Sequence, residues 1–222
     1  MLHPSRFRNR ADAGRRLVEA IGPRNDDPVV LGLPRGGVPV AFELARGLHA
    51  PLDILLVRKI GAPGYPEFAI GAVVDGKNPQ RVINEDTLSY CGASLDYFER
   101  EAARQLEEIE RRRKTYLGNR TPIDLAGRSV ILVDDGIATG ASVKAGLKGL
   151  RQAGAGHVTL AIPVAPRTVI EELKKEVDEI VCLSAPEDLR AVSLHYEDFD
   201  QTSDEEVTEL LARAGQGDLS KS

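Results

Sequence analysis

Val130-Ile131-Leu132-Val133 is an apolar run that ends on two adjacent carboxylates, Asp134 and Asp135. Gly136-Ile137-Ala138-Thr139-Gly140-Ala141-Ser142 follows, a stretch of small and hydroxyl-bearing residues before a helical pattern. The run has the length and character of a buried strand. Carboxylates at its end accept hydrogen bonds from vicinal hydroxyls. Loop N–H groups and the helix dipole beyond them attract a phosphate. Acids, loop and helix start together describe a site for a sugar phosphate.

An acid pair at a strand end can also be a solvated turn, and receiver domains place Asp at strand ends too. Neither accounts for Thr139-Gly140-Ala141-Ser142. A Walker A loop needs Gly-Lys-Ser/Thr after a longer glycine gap, which this segment lacks.

Two further strand ends carry chemistry. Leu33-Pro34-Arg35-Gly36-Gly37 follows an apolar strand and opens a helix, so its glycines can turn N–H groups toward an anion. Arg58-Lys59 ends the next apolar run. Ligands of open parallel sheets bind at the carboxyl ends of the strands, where these segments converge.

The signature closely resembles the ribose-5-phosphate-binding segment of the type I phosphoribosyltransferases. The resemblance implies that Asp134 and Asp135 face the ribose 2′- and 3′-hydroxyls. It also implies that Thr139, Gly140, Ala141 and Ser142 cradle the 5-phosphate, with Gly136 and Ala138 among the donor-binding residues. Each hydrogen bond to an ionised carboxylate contributes about 1.5–3 kcal/mol. Leu33 to Gly37 resembles the family's pyrophosphate loop, which often holds a strained peptide bond. Arg58-Lys59 resembles a pair found in adenine-type members.

The implied reaction transfers a 5-phosphoribosyl group from phosphoribosyl diphosphate to a nitrogenous base. Asp134, Asp135, Arg35 and Lys59 are the candidate catalytic residues, with Gly36, Gly37 and Arg58 binding the donor. The implied cofactor is Mg2+, held mostly by substrate oxygens and water, with Asp134 or Asp135 contributing through water. Ala138 stands where hypoxanthine/guanine members usually carry an acid, which turns the expectation away from 6-oxopurines. After the last strand, Val192, Tyr196 and Asp198 are the candidate acceptor contacts. Leu189-Arg190-Ala191-Val192 offers no aromatic residue for stacking, so Tyr196 and Phe199 are the substitutes. His195 is a candidate proton carrier or a surface histidine. The Tyr196-Glu197-Asp198-Phe199 ending resembles poorly characterised bacterial members, whose acceptor is open.

The alternating elements must position these groups. Helices are expected over Asp12–Ile21, Val38–Leu48, Ser94–Leu117, Ser142–Ala153, Pro166–Val177 and Asp204–Ala214. Strands are expected over Pro28–Leu33, Leu52–Val57, Phe68–Val74, Gln80–Ile83, Val130–Val133, His157–Val164 and Asp178–Leu183. The fold class is α/β: a parallel sheet flanked by helices, with a helical insert and a small C-terminal hood. The whole chain, 1–222, reads as one domain, with 84–120 as insert and 185–215 as hood. Residues after Gly215 read as frayed.

The loop Gly61–Pro66 and the insert are candidate lids; the insert reads equally as a fixed subdomain or a dimer contact. Arg111-Arg112-Arg113-Lys114 either decorates a helix end or folds over the diphosphate.

Acidic residues outnumber basic ones by 34 to 29, a net charge of -5, which argues against a dedicated nucleic-acid binder. Apolar residues make up 42% and charged residues 28%, a soluble balance without an apolar run long enough to span a membrane. The N-terminus lacks the apolar core of a secretory signal. Neither Cys91 nor Cys182 demands a disulfide, so cytoplasmic residence is the expectation. A homodimer is expected by resemblance. Two other readings are a phosphoribosyl diphosphate sensor without turnover, and a dinucleotide-binding oxidoreductase. The latter lacks Gly-x-Gly-x-x-Gly after the first strand.

Overall fold

A computed structural model describes residues 6–215, so the C-terminal fraying expected after Gly215 lies outside the described residues. In chain order the elements are α1 (Arg10–Ile21), β1 (Val29–Gly32), α2 (Gly37–Leu48), β2 (Leu52–Ile54), β3 (Val57–Ala62), β4 (Tyr65–Val74) and β5 (Gln80–Ile83). Then come α3 (Glu85–Tyr90), α4 (Leu95–Leu117), β6 (Ser129–Val133), α5 (Ala141–Gln152), β7 (His157–Val164), α6 (Arg167–Leu173), β8 (Glu179–Ser184) and α7 (Asp204–Gly215). A short 3-10 turn, Val192–His195, precedes α7.

Five strands form a parallel sheet in the order β2-β1-β6-β7-β8. β1 and β6 are central and buried on both faces, which is why they read as unbroken apolar runs. One face packs Val30, Ile131 and Val133 with residues of α1, α2, α4 and α7. The other packs Leu31, Leu132 and Leu160 with Val143, Leu147 and Leu150 of α5. A fully buried Leu or Ile contributes about 1.5–3 kcal/mol, so these layers fix the ends of β1 and β6 where the chemistry lies.

The run Leu52–Val57 is not one strand. β2 stops at Ile54, and Val57 begins a separate antiparallel sheet, β3-β4-β5. Leu55 and Leu56 are the joint: Leu55 N–H donates to the Gly32 carbonyl at 3.0 Å, and the Leu56 carbonyl accepts from Asp75 N–H at 2.8 Å. Both residues are buried, so hydrophobicity alone marks no break. Arg58 and Lys59 therefore lie inside an antiparallel strand, not at a parallel strand end. The expected loop Gly61–Pro66 is largely strand: β3 runs to Ala62 and β4 starts at Tyr65, with Gly64 in the left-handed region (φ 77) at the turn. The short helix α3 is an addition to the expected elements, and α6 ends at Leu173 rather than Val177.

Gly149 lets α5 lie against β4, since a Cβ there would meet the Val74 Cβ at 2.7 Å. That contact seats the antiparallel sheet against α5. α4 starts at the N-cap Ser94, whose side chain accepts from Tyr97 N–H at 3.1 Å, and ends at Gly118. It buries Phe98, Ala102, Ile109 and Tyr116. Arg113 is buried too: its Nη1 donates to Asp75 at 2.5 Å, and its Nη2 to Asp53 at 2.8 and 2.9 Å. α4 is thereby tied to β2 and to the end of β4. Among the described residues no helix is long and apolar enough to cross a membrane, and both cysteines are free.

Candidate active site

The acid pair sits directly beyond β6. Asp135 N–H donates to Asp134 Oδ1 at 2.9 Å, so the first carboxylate caps the turn. Both side chains are partly buried. Burial, and then the neighbouring Asp135 carboxylate, push the Asp134 carboxyl well above the usual range.

The turn beyond the acids is open. Ile137 N–H donates to the Val164 carbonyl at 2.9 Å and roots the loop on β7. From Ala138 to Val143 the N–H groups make no hydrogen bond among the described residues, and the Gly140 cap supplies no side-chain acceptor. Gly140 takes the left-handed conformation (φ 74) that aims this turn into the helix. Ala138, Thr139, Ala141 and Ser142 are exposed. A cleft of about 170 Å³ is lined by Asp134, Gly136 to Val143, and Lys59. Lys59 arrives from β3, so the antiparallel sheet brings a cation to the cleft by a route the sequence does not suggest. Arg58, one residue away on the opposite face of β3, donates from Nε to Gln105 Oε1 at 2.9 Å and supports α4 instead.

Loop Pro34–Gly37 lies against the acids. Leu33 N–H donates to the Val133 carbonyl at 2.9 Å. The Pro34–Arg35 peptide bond is cis. A Cβ on Gly36 would lie 2.0 Å from Asp135 Oδ2, and one on Gly37 would lie 2.8 Å from the Val133 carbonyl oxygen. These glycines are needed for close approach rather than for unusual backbone angles. Gly37 N–H turns back to the Leu33 carbonyl at 3.0 Å, whereas the N–H groups of Arg35 and Gly36 make no hydrogen bond among the described residues. The Arg35 side chain reaches toward α4 and α7, where its Nη1 lies 3.9 Å from Asp204 Oδ1.

Asp135 has partners that no sequence pattern announces. Arg10 of α1 donates from Nε to Asp135 Oδ2 at 2.8 Å, and from Nη1 to the Asp200 carbonyl at 2.7 Å. The same guanidinium stacks on Phe199, 3.9 Å from the ring centroid. Tyr196 Oη donates to the Asp135 carbonyl at 2.6 Å. Arg10 lies 125 residues from its carboxylate, beyond the reach of any local signal.

The three acceptor candidates separate. Val192 packs on the loop: a Cβ on Gly136 would meet its Cγ1 at 2.4 Å. Tyr196 is 3% exposed and wedged between Phe7 and Phe199, with centroids at 5.2 and 4.8 Å. Burial first, then the Asp135 carboxylate, push its phenol far up, so it acts as a donor. Its ring has no open face, which corrects the expectation that it stacks on a base. Asp198 is exposed and lines a different cleft, with Asn9, Arg10, Pro39 and Thr202. His195 does not line the Asp134 cleft. Burial and then Arg6 hold its imidazole below the ordinary value.

A doubly covered parallel sheet, two acids at a strand end, an unfilled helix start and an abutting glycine turn define an α/β protein with a candidate anion site at the carboxyl ends of its strands. Residues 6–198 match the phosphoribosyl transferase domain, and the chain belongs to that family. It is 46% identical, over 94% of its length, to the Mycobacterium tuberculosis (strain ATCC 25618 / H37Rv) protein named "Putative phosphoribosyl transferase Rv0571c". The counterpart from strain CDC 1551 / Oshkosh, MT0597, matches equally. The chain spans about half the length of these curated relatives, 47%. A crystal structure of TT1426 from Thermus thermophilus superposes with a TM-score of 0.81 at 48% identity, over 93% of this chain and 97% of that one.

Proposed function

We propose that this chain transfers 5-phosphoribosyl from phosphoribosyl diphosphate to a ring nitrogen of a heterocyclic base, releasing diphosphate. The observation that carries this reading is the row of unengaged N–H groups from Ala138 to Val143, in one cleft with Asp134 and Lys59. Such a row beside a helix start receives a phosphate dianion. Asp134 and Asp135 then accept from the ribose hydroxyls.

The C1–O bond to diphosphate breaks as the base nitrogen forms its bond to C1 from the opposite face, and the nitrogen's proton is released. Negative charge grows on the leaving group. In this reading the N–H groups of Arg35 and Gly36, which make no hydrogen bond among the described residues, and the Lys59 ammonium in the Asp134 cleft stabilise it. The two partly buried acids offer hard oxygen donors suited to Mg2+, and among the described residues no group of three or more ligands forms a protein cage. Bound magnesium would neutralise diphosphate charge, with Asp134 and Asp135 holding it through water. Val192, beside Gly136, borders the acceptor side. α4 is anchored by Arg113, so closure over the site falls to the hairpin around Gly64. A homodimer is part of this reading.

One observation favours the sensor instead: with Tyr196 buried, no aromatic ring lines the Asp134 cleft. Diphosphate release from phosphoribosyl diphosphate and magnesium, measured across a panel of bases, separates the two. Turnover with any base supports transfer. Tight binding without turnover on the whole panel supports sensing. Asp135→Asn is expected to weaken donor binding in calorimetry about tenfold; unchanged affinity removes Asp135 from the site.

A further inference from the structure

The C-terminal turns of α4 face the loop that carries Arg35. Arg35, Arg111, Arg112, Thr115, Tyr116 and Asp204 line a cleft of about 290 Å³, separate from the one at Asp134. Glu108 orients two of the arginines. Arg111 donates to it from Nε at 2.8 Å and Nη2 at 2.9 Å, and Arg112 from Nε at 2.7 Å. Both Nη groups of Arg112 lack a hydrogen-bond partner among the described residues. Arg35 Nη1 lies 3.9 Å from Asp204 Oδ1, beyond hydrogen-bond reach, with Glu205 in electrostatic range. That same Asp204 oxygen already accepts from Tyr116 Oη at 2.7 Å.

Three guanidiniums therefore line one cleft with Asp204, while Glu108 is bonded to two of them and Glu205 lies in electrostatic range of Arg35. Tyr116 adds no charge, because burial and its bond to Asp204 push the phenol up to about 12. The cluster stands on a rigid support. Arg113, the next residue, is buried between Asp53 and Asp75, and Ile109 and Tyr116 are core residues.

We propose that Arg35, Arg111 and Arg112 form a second phosphate-binding pocket, whose ligand is a phosphate or diphosphate group. Arginine forks match phosphate oxygens in pairs, and two of these side chains are already held in position by a shared carboxylate. The group has two possible sources. One is the donor's own diphosphate end, since Arg35 adjoins Gly36, which abuts Asp135; this source rests on the proposed function. The other is a separate phosphorylated effector, which does not.

Calorimetry with inorganic diphosphate, ribose 5-phosphate and phosphoribosyl diphosphate, on the wild type and on Arg111→Gln/Arg112→Gln, tests the pocket. Arg111 and Arg112 are 66% and 39% exposed, so the double variant should fold, and its melting temperature checks this. Diphosphate affinity is expected to fall about tenfold or more in the variant, with ribose 5-phosphate affinity unchanged. If phosphoribosyl diphosphate weakens in parallel, the donor is the source; if it does not, the ligand is a separate effector. Equal diphosphate affinity in both proteins, or none in the wild type, overturns the pocket. Ribose 5-phosphate that fails to bind the wild type overturns the proposed function, and leaves the diphosphate result to decide the pocket alone.

Discussion

Replacing Arg10 with glutamine removes the partner of Asp135. The side chains of the pair are 12% and 15% exposed, so water screens them much less than a surface pair. Breaking a buried pair by deleting one partner costs about 3–5 kcal/mol, because a charge is left uncompensated. Asp135 keeps some contact with water, and glutamine retains some stacking on Phe199, so the loss falls at or just below the lower end of that range: about 2–3 kcal/mol. For a chain of this size that corresponds to about 4–12 °C in melting temperature. Chemical denaturation with and without ribose 5-phosphate would measure both consequences. The variant should lose that stability and also bind the sugar phosphate more weakly, since Asp135 is no longer held in place. A stability change under about 1 kcal/mol would refute the reasoning, by showing that the pair behaves as an exposed one.

Two other substitutions probe the same junction. Gly36→Ala places a methyl 2.0 Å from the Asp135 oxygen that Arg10 holds. The carboxylate must swing away from the methyl and from Arg10, so the protein should fold with about 2–3 kcal/mol lost, while donor affinity in calorimetry falls about tenfold or more; unaltered affinity would place the loop outside the site. Asp134→Asn addresses pH. A carboxyl raised by burial and by Asp135 contributes stability that is complete below the ordinary value of 3.8 and is lost as pH rises through the raised value. Asparagine keeps the acceptor for Asp135 N–H without that loss. In metal-free buffer the variant should melt above wild type near neutral and alkaline pH and match it below about pH 4; a variant that never melts higher would show that Asp134 titrates normally.

How much of this is legible in the sequence depends on range. β7 is readable to the residue, and so is the end of α4 at Gly118, because period and caps are local. The turn beyond the acids is readable because a strand, an acid pair and a helix start are contiguous. Leu52–Val57 reads wrongly as one strand because Leu55 and Leu56 are buried whether the chain continues a strand or changes sheet. The basic run on α4 conceals two roles: Arg113 is a core ion pair, while Arg111 and Arg112 face a cleft. Helical spacing distinguishes such neighbours only once it is known which face is buried. Tyr196 stands out for its chemistry, but its packing between Phe7 and Phe199 depends on the N-terminal segment pairing with the hood, through Phe7 N–H to the His195 carbonyl at 2.9 Å.

That pairing gives the acid pair its support. Asp135 is gripped at three points: by Arg10 at its carboxylate, by Tyr196 at its carbonyl, and by the surface of Gly36. The first comes from α1, the second from the hood and the third from the opening turn of α2. Each belongs to a different stretch of chain, and Arg10 also bonds the hood directly at Asp200. Of the three, Arg10 is the one that bonds the carboxylate itself. In the proposed reaction this matters, because Asp135 must meet a ribose hydroxyl while the hairpin tip around Gly64 closes. The acids and the cation are therefore braced by different elements: the acids by α1, α2 and the hood, and Lys59 by β4, where it pairs with Ala72 two residues before Val74 packs on Gly149 of α5.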